Sequence, residues 1–348
     1  MTLRTLTAVL SALVIALAAS GARSADFYAG KTITLIIPAG EGGGYDGYAR
    51  LAARHLGKHL PGKPRAIAVN KPGASGTVAA NYMYSVAKPD GLTISGMYRQ
   101  MPFAPLFGNK RATYDATKYG WIGTSSSFKN DASFLFVHKR LGASDVDQLK
   151  ARNKPLQFGS GGRTSTGDEG ARIIGPVVGL DIKIVRGYKG SAQTLLAVEK
   201  GEVDAMILGI SSLSSRKPAW LKPDGPIHLI LQFGYGGEGR HPKFPNVPRV
   251  DELASTEADK ALVFLLQAPF KIARPFAAPP GLPADRLAAL RTAFMAMSAD
   301  PAYLGEAKRL KLDISPRPGH EVAKVIDDVY KLPPAMVKRY IDALKKGG

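Results

Sequence analysis

The chain has 348 residues, of which 45% are hydrophobic, and it contains no cysteine. That length exceeds what one compact core usually holds, so it predicts two domains, while the missing cysteine excludes disulfides, thiol catalysis and cysteine-ligated metals. The formal net charge of +19 is compatible with anionic partners, but no cluster of basic and aromatic residues indicates nucleic acid, and we expect none to bind.

The first 24 residues form a separate unit. Arg4 precedes an apolar segment over residues 6–19, which is too short to span a bilayer comfortably, and Ala22 and Ser24 offer small residues for cleavage. This pattern is typical of a secretory signal peptide. We therefore expect residues 1–24 to be removed near Ser24, and the mature chain to reach the periplasm if its source is Gram-negative.

A glycine-rich loop follows the first strand-like segment, at residues 33–37. Residues 45–60 then carry apolar side chains every four positions, which predicts a helix. Free N–H groups and partial positive charge at a helix N-terminus, together with close approach at glycine, favour anion binding. The candidate ligand-binding residues of this loop are Gly42, Gly43, Gly44 and Tyr45.

Three interpretations of this loop remain open. A small carboxylate fits the anion site, and a simple tight turn would also use the glycines. A dinucleotide is the third, because Gly42, Gly44 and Gly47 satisfy the spacing G-x-G-x-x-G, although Asp46 would then face a pyrophosphate.

Two further loops combine glycine with hydroxyl side chains before a predicted helix. The first follows a strand at 67–70 and the second a strand at 156–158, with helices at 77–87 and 168–178. Alternating strands and helices predict parallel sheets, with ligands at the carboxyl ends of the strands. The candidate ligand-binding residues here are Ala74, Ser75, Gly76, Ser160, Gly161, Thr164, Ser165 and Thr166.

Two isolated side chains complete the candidate site. Tyr188, like Tyr45, could form a flat wall beside an aromatic or extended ligand, although both could simply pack. Asp204 lies inside a predicted apolar strand at 203–208, where an acid is costly unless it is bonded; a nearby backbone N–H or lysine would also account for it. We also expect a strand at 262–266.

Catalytic and metal-binding patterns are missing from the sequence. His55 and His59 have the i, i+4 spacing of metal ligands but lack a third ligand nearby, and Ser160 and Ser165 do not match G-x-S-x-G. We therefore predict no metal, no cofactor and no enzymatic activity. An exported hydrolase remains an alternative, because catalytic triads assemble in space.

The ordered set of motifs resembles the substrate-binding proteins of tripartite tricarboxylate transporters, the Bug-type receptors of Gram-negative bacteria. The matching pieces lie at residues 38–50, 70–76, 87–91, 159–161, 188–191, 201–204 and 244–248. The first loop departs from the usual P-x-x-P-G-G-x-x-D form by carrying Glu41 and Tyr45. This departure affects the expected ligand more than the expected fold.

The resemblance implies a type II periplasmic binding protein fold, an α/β fold of two lobes joined by two crossing strands with the ligand in the cleft. Lobe 1 would hold residues 26–123 and 235–348, and lobe 2 residues 124–234, with crossings near 120–136 and 227–235. The implied function is a monomeric receptor that captures a small carboxylate or aromatic acid and delivers it to membrane permease subunits. A receptor of an ABC or TRAP importer is the alternative among binding proteins.

Overall fold

The computed structural model describes residues 27–127, 132–163, 165–234 and 239–346. The strands of these ranges form two separate sheets. In chain order they are β1 Thr32–Ile37, β2 Arg65–Asn70, β3 Thr93–Gly96, β4 Gly120–Thr124, β5 Ser133–His138, β6 Leu156–Gly159, β7 Ile182–Val185, β8 Ala205–Gly209, β9 Ile227–Phe233, β10 Pro275–Ala278 and β11 Arg317–Pro318.

The first sheet has the strand order β11-β4-β10-β3-β1-β2. β1 runs parallel to β2 and β3, as the alternation of strands and helices predicts. β10 enters between β3 and β4 and is antiparallel to both. The prediction of parallel sheets is therefore wrong for β10, which is reached from the second sheet rather than through a helical crossover within the first. It is also wrong for β11, antiparallel to β4, and for β5 of the second sheet.

The second sheet has the order β7-β6-β8-β5-β9. β6 is parallel to β7 and β8, whereas β5 is antiparallel to β8 and β9. The chain passes from the first sheet to the second between β4 and β5, and it leaves the second sheet after β9. Two mixed α/β sheets linked in this way form the two-lobed fold expected from the sequence.

Helices cover the faces of both sheets. In the described ranges they are α1 Gly44–His59, α2 Thr77–Ser85, α3 Val146–Ala151, α4 Thr166–Val178, α5 Ser191–Lys200, α6 Ile210–Arg216, α7 Glu257–Gln267, α8 Ala284–Ala299, α9 Pro301–Arg309, α10 Gly319–Tyr330 and α11 Pro334–Lys346. No helix of these ranges combines the length and apolarity that crossing a bilayer requires. The predicted signal peptide lies outside the described residues.

The predicted strand at 262–266 is wrong, because these residues lie inside α7. A short apolar run does not distinguish a strand from a buried helix. Thr256 is the N-cap of this helix, and its side chain accepts a hydrogen bond from the Asp259 N–H. This N-cap extends the helix upstream of the apolar run and allows Val263 and Leu266 to be buried on one side.

The last helix, α11, joins parts of the chain that are distant in sequence. The Tyr340 ring lies 4.5 Å from the Phe107 ring, between centroids. Arg172 on α4 donates a hydrogen bond to the Leu344 carbonyl. The C-terminal helix thus contacts both the segment after β3 and a helix of the second sheet.

Candidate binding site between the two sheets

The first glycine loop is held by Asp46, which is buried. Its carboxylate accepts hydrogen bonds from the Gly42 N–H at 3.0 Å, from Arg50 Nε at 2.9 Å and from Asn70 Nδ2 at 2.9 Å. Gly42 has a φ of +74°, a conformation that favours glycine. Asp46 therefore fixes the shape of the loop. Its carboxylate, which would repel a phosphate, is instead bonded to other groups of the protein.

The first turn of α1 has no side-chain cap, so no side chain of the cap residue bonds to its first N–H groups. Gly44 begins this helix and touches α6 of the second sheet. A Cβ atom at Gly44 would lie only 2.7 Å from Ser212 Oγ and 3.7 Å from Arg274 Nη2. Arg216, also on α6, donates a hydrogen bond to the Gly42 carbonyl. The first loop thus meets the second sheet directly.

The second loop has an unusual backbone. Ala74 and Ser75 have φ values of +46° and +53°, and Gly76 follows at +91°. Left-handed conformations cost a non-glycine residue roughly 1–2 kcal/mol each, and such outliers cluster at functional sites. The Ser75 side chain does not cap α2. Its Oγ lies 3.3 Å from the Cβ position of Gly162, in the loop after β6.

The third loop divides its hydroxyl groups between two roles. Ser165 caps α4 by accepting a hydrogen bond from the Asp168 N–H at 3.3 Å, and its Oγ lies 2.8 Å from Ser160 Oγ. Thr166 Oγ1 instead accepts a hydrogen bond from Gln100 Nε2, which follows β3 in the first sheet. The Gly161 carbonyl accepts a hydrogen bond from the Gly187 N–H at 3.2 Å. Thr164 lies outside the described residues.

The structure brings together most of the predicted residues. Those at 42–45, 74–76 and 160–166, apart from Thr164, lie in three loops that contact one another or α6 across the gap between the sheets. Sequence reasoning placed them at strand ends, but it did not identify Gln100, Ser212 or Arg216 as the residues that complete these contacts.

Asp204 lies away from these contacts, whereas the Tyr188 carbonyl lies against the third loop, 3.1 Å from the Cβ position of Gly161. The Tyr188 ring packs by Gly159, whose Cβ position is 3.5 Å from Tyr188 Cε2. Burial raises the pKa of Tyr188, as does the nearby Glu202. Asp204 immediately precedes β8, at the end opposite to α6. Its carboxylate accepts a hydrogen bond from the Gln157 N–H at 3.2 Å, as the alternative role of this residue predicts, and lies 3.5 Å from Arg140 Nη2, an arginine rather than the expected lysine.

Two buried arginines surround Tyr45. Arg99 and Arg274 are both only 4% exposed. The Tyr45 hydroxyl donates to the Ala273 carbonyl at 3.2 Å and accepts hydrogen bonds from the N–H and Nε of Arg99, both at 3.1 Å. The Arg274 guanidinium lies 4.5 Å from the centre of the Tyr45 ring. Tyr45 is thus held by two cations, and its ring packs against the core and the edge of Tyr98.

Opposing effects act on the Tyr45 phenol. Burial raises its pKa, but the positive charges of Arg99 and Arg274 and the hydrogen bonds from Arg99 outweigh burial, so the pKa falls below its usual value. The positive charges of Arg99 and Arg274 also favour an oxyanion nearby. Sequence reasoning did not identify either arginine as part of the site. The only signal in the sequence was a single arginine next to each of two apolar strands.

The two histidines of α1 pair with acids. His55 Nε2 lies 2.7 Å from Glu306, and His59 Nε2 lies 2.9 Å from Asp300. Within the ranges that the structure describes, no three histidine, aspartate or glutamate side chains gather as possible metal ligands. These pairs instead attach α1 to α9 and to the residue that precedes it.

Comparison with known proteins identifies the family. Residues 48–340 match the model of the tripartite tricarboxylate transporter family receptor. The chain belongs to this family. A UPF0065 protein of Bordetella pertussis is 28% identical over 311 residues, covering 85% of this chain and 84% of that protein.

Two solved structures share the fold of this receptor. The periplasmic binding protein BugD aligns with a TM-score of 0.69 at 18% identity, covering 91% of this chain and 98% of BugD. MatC from Rhodopseudomonas palustris, solved with bound malate, aligns with a TM-score of 0.68 at 20% identity, covering 90% and 99%. The predicted resemblance to Bug-type receptors is confirmed. The family consists of transport receptors, which decides against the hydrolase and against receptors of other importers.

Proposed function

We propose that this receptor binds a small organic carboxylate between its two sheets and delivers it to the membrane permease of a tripartite transporter. Family membership supports the receptor role, and malate in the related MatC supports the ligand class. The observation that carries the proposal is the meeting of three helix-initiating loops, at residues 42–45, 74–76 and 160–166, from both sheets.

The N-termini of α1, α2 and α4 provide the chemistry for such a ligand. α1 begins without a side-chain cap, so its first N–H groups are available as donors to a carboxylate. α2 also lacks a side-chain cap, but its first N–H, that of Thr77, bonds to the Ala74 carbonyl. Ser75 and Thr166 add hydroxyl groups from opposite sheets, and Tyr45 adds an aromatic wall. A ligand that bonds to both sheets at once stabilises the closed arrangement, and this differential affinity drives closure.

The rest of the proposal concerns the organisation of the chain. Lobe 1 comprises residues 26–123 and 235–348, lobe 2 comprises residues 124–234, and the ligand lies between them. The receptor is a monomer that acts in the periplasm after cleavage of residues 1–24. N-terminal sequencing of protein from the native host should begin near Ala25; a mature product that starts at Met1 contradicts this part.

Calorimetric titration tests the ligand class. We expect one of a panel of acids, comprising succinate, malate, adipate, citrate and benzoate, to bind one-to-one and to be recovered unchanged. The amide of the acid that binds, such as succinamide for succinate or benzamide for benzoate, should not bind, because it lacks the negative charge that the helix N-termini favour. The radius of gyration in solution scattering should fall on binding. Conversion of the ligand, or equal affinity for acid and amide, would overturn the proposal.

A further inference from the structure

The strand β2 forms one edge of the first sheet. Arg65 and Lys71 direct their N–H groups to the Lys31 and Ile37 carbonyls on the β1 side. Because alternate residues of a strand point their backbone groups in opposite directions, the N–H and C=O groups of Ala66, Ala68 and Asn70 face away from β1. The outer side of β2 therefore presents a row of backbone donors and acceptors.

One face of this edge strand is apolar and exposed. Ile67 is 42% exposed and Val69 is 41% exposed. Ala66 and Ala68 point to the other face and pack with the core beneath α1. Val78 on the neighbouring α2 is 45% exposed, which extends the apolar surface. Exposed β-branched side chains beside a strand edge are a recurring feature of surfaces that accept an added strand.

The charges along this edge are all positive. Residues 63–71 contain Lys63, Arg65 and Lys71 but no acid, and Lys63 and Arg65 form no ion pair with any described residue. A cavity of about 500 Å³ at the start of β2 is lined by Lys58, Lys63 and Arg65, together with Arg54, which pairs with Glu306. An acidic segment would complement this surface.

The edge also continues into the second loop of the ligand site. The segment after β2 passes through Gly73, whose Cβ position lies 2.8 Å from Val78 Cγ2. Ser75 follows in the left-handed backbone and lies against Gly162 of the second sheet. A partner seated on β2 would thus touch the segment that carries Ser75.

We propose that the outer edge of β2 docks an acidic, extended segment of the membrane permease by adding a strand to the first sheet. This inference rests on the proposed function for the identity of the partner. The edge-facing groups of 66, 68 and 70 supply main-chain hydrogen bonds, Ile67 and Val69 supply apolar contact, and Lys63, Arg65 and Lys71 select acidic side chains. A second copy of the receptor would bind this edge poorly, because the lysines and arginine of its own β2 edge would face those of the first copy.

Site-specific photocrosslinking in the native host tests the docking surface. A photoreactive phenylalanine analogue replaces Ile67 in one strain and the exposed Leu310 in another, and mass spectrometry identifies the crosslinked product. We expect Ile67 to crosslink to a permease subunit and Leu310 not to do so. Adding Arg65→Glu should reduce the amount of crosslink from position 67 about tenfold. Lys222→Glu is the control: it reverses the charge of an exposed residue just before β9 of the second sheet, and it should leave the crosslink unchanged.

Uptake provides a second measurement. Ala68→Pro removes a donor from the open edge without removing a bond to β1, so thermal unfolding and affinity for the acid identified by titration should stay near wild type. Uptake of that acid should fall roughly tenfold. Unchanged uptake with unchanged affinity, a crosslink only between two receptors, or equal crosslinking from Leu310 would overturn the docking surface. Failure of every acid to bind would instead contradict the proposed function.

Discussion

Replacing Gly44 by alanine tests whether contact between α1 and α6 controls closure. The added Cβ would lie 2.7 Å from Ser212 Oγ, whereas ordinary contacts of this kind begin at 3.4 Å. Overpacking typically costs about 1–3 kcal/mol, and because a serine hydroxyl can rotate we expect the lower part of that range. A cost of about 1–2 kcal/mol in the closed form alone corresponds to roughly five- to thirtyfold weaker ligand binding.

Two further variants make this prediction specific. Gly43→Ala is the matched control, because its Cβ would approach nothing closer than the Gly40 carbonyl at 3.8 Å and its φ is −78°. Ser212→Ala removes the opposing Oγ and leaves Arg274 Nη2 at 3.7 Å and Ser212 Cβ at 3.9 Å, both ordinary contact distances. In the background of Ser212→Ala, the change Gly44→Ala should therefore have little effect on affinity.

Calorimetry and thermal unfolding of the four proteins provide the measurement. The unfolding midpoint without ligand should be nearly the same in all of them, because alanine suits the first turn of a helix and the open form avoids the clash. Equal affinity of Gly44→Ala and Gly43→Ala refutes the reasoning. So does a loss of affinity that persists in the double variant, because the contact with Ser212 would then not be its cause.

Four other substitutions have distinct expected outcomes. Arg216→Ala removes the hydrogen bond to the Gly42 carbonyl; because this side chain is partly solvated, we expect a two- to tenfold loss of affinity, roughly 0.5–1.5 kcal/mol, with an unchanged unfolding midpoint. Ser165→Ala removes the cap of α4 and should lower the free energy of unfolding by about 1 kcal/mol, whereas Ser75→Ala should weaken ligand binding without that loss; calorimetry and urea unfolding distinguish them. Burial raises the pKa of Glu169 to about 8 from its usual 4.5, against the opposing effect of Arg172. Its contribution to stability is therefore complete below about pH 4.5 and declines as the pH rises toward 8, because the unfolded carboxyl ionises first. Urea unfolding from pH 5 to 8 should show this decline, and Glu169→Gln should reduce it; an identical pH dependence in both proteins contradicts the assignment.

The sequence was most informative where local chemistry decides the structure. The loop at 42–45 and the caps of the following helices are set by glycine, serine and strand ends that lie next to one another in the chain. Asp46 illustrates the limit: its position before a helix was clear, but its bonds to Gly42 and Asn70 depend on β2 lying beside β1.

Long-range pairing accounts for what the sequence could not supply. The contact between Gly44 and Ser212 and the position of Arg274 beside Tyr45 join residues far apart in the chain. No periodicity or motif encodes such a pairing, because it depends on how two sheets face each other. The predicted strand at 262–266 was wrong for a different reason. These residues are helical because the helix is capped at Thr256, upstream of the apolar residues.

The position of β10 between β3 and β4 has a consequence for the order of assembly. All five strands of the second sheet fall within one continuous stretch, 133–233, so they can pair as soon as that stretch is available. The first sheet must wait for a segment made much later: the Arg274 N–H bonds to Thr124 Oγ1 across 150 positions. Before residue 275 emerges, β3 and β4 have no strand between them and expose unpaired edges, which are prone to aggregate. A fragment that ends before β10 therefore lacks a central strand, not merely a terminal extension, and the final third of the chain completes the sheet that begins near its start.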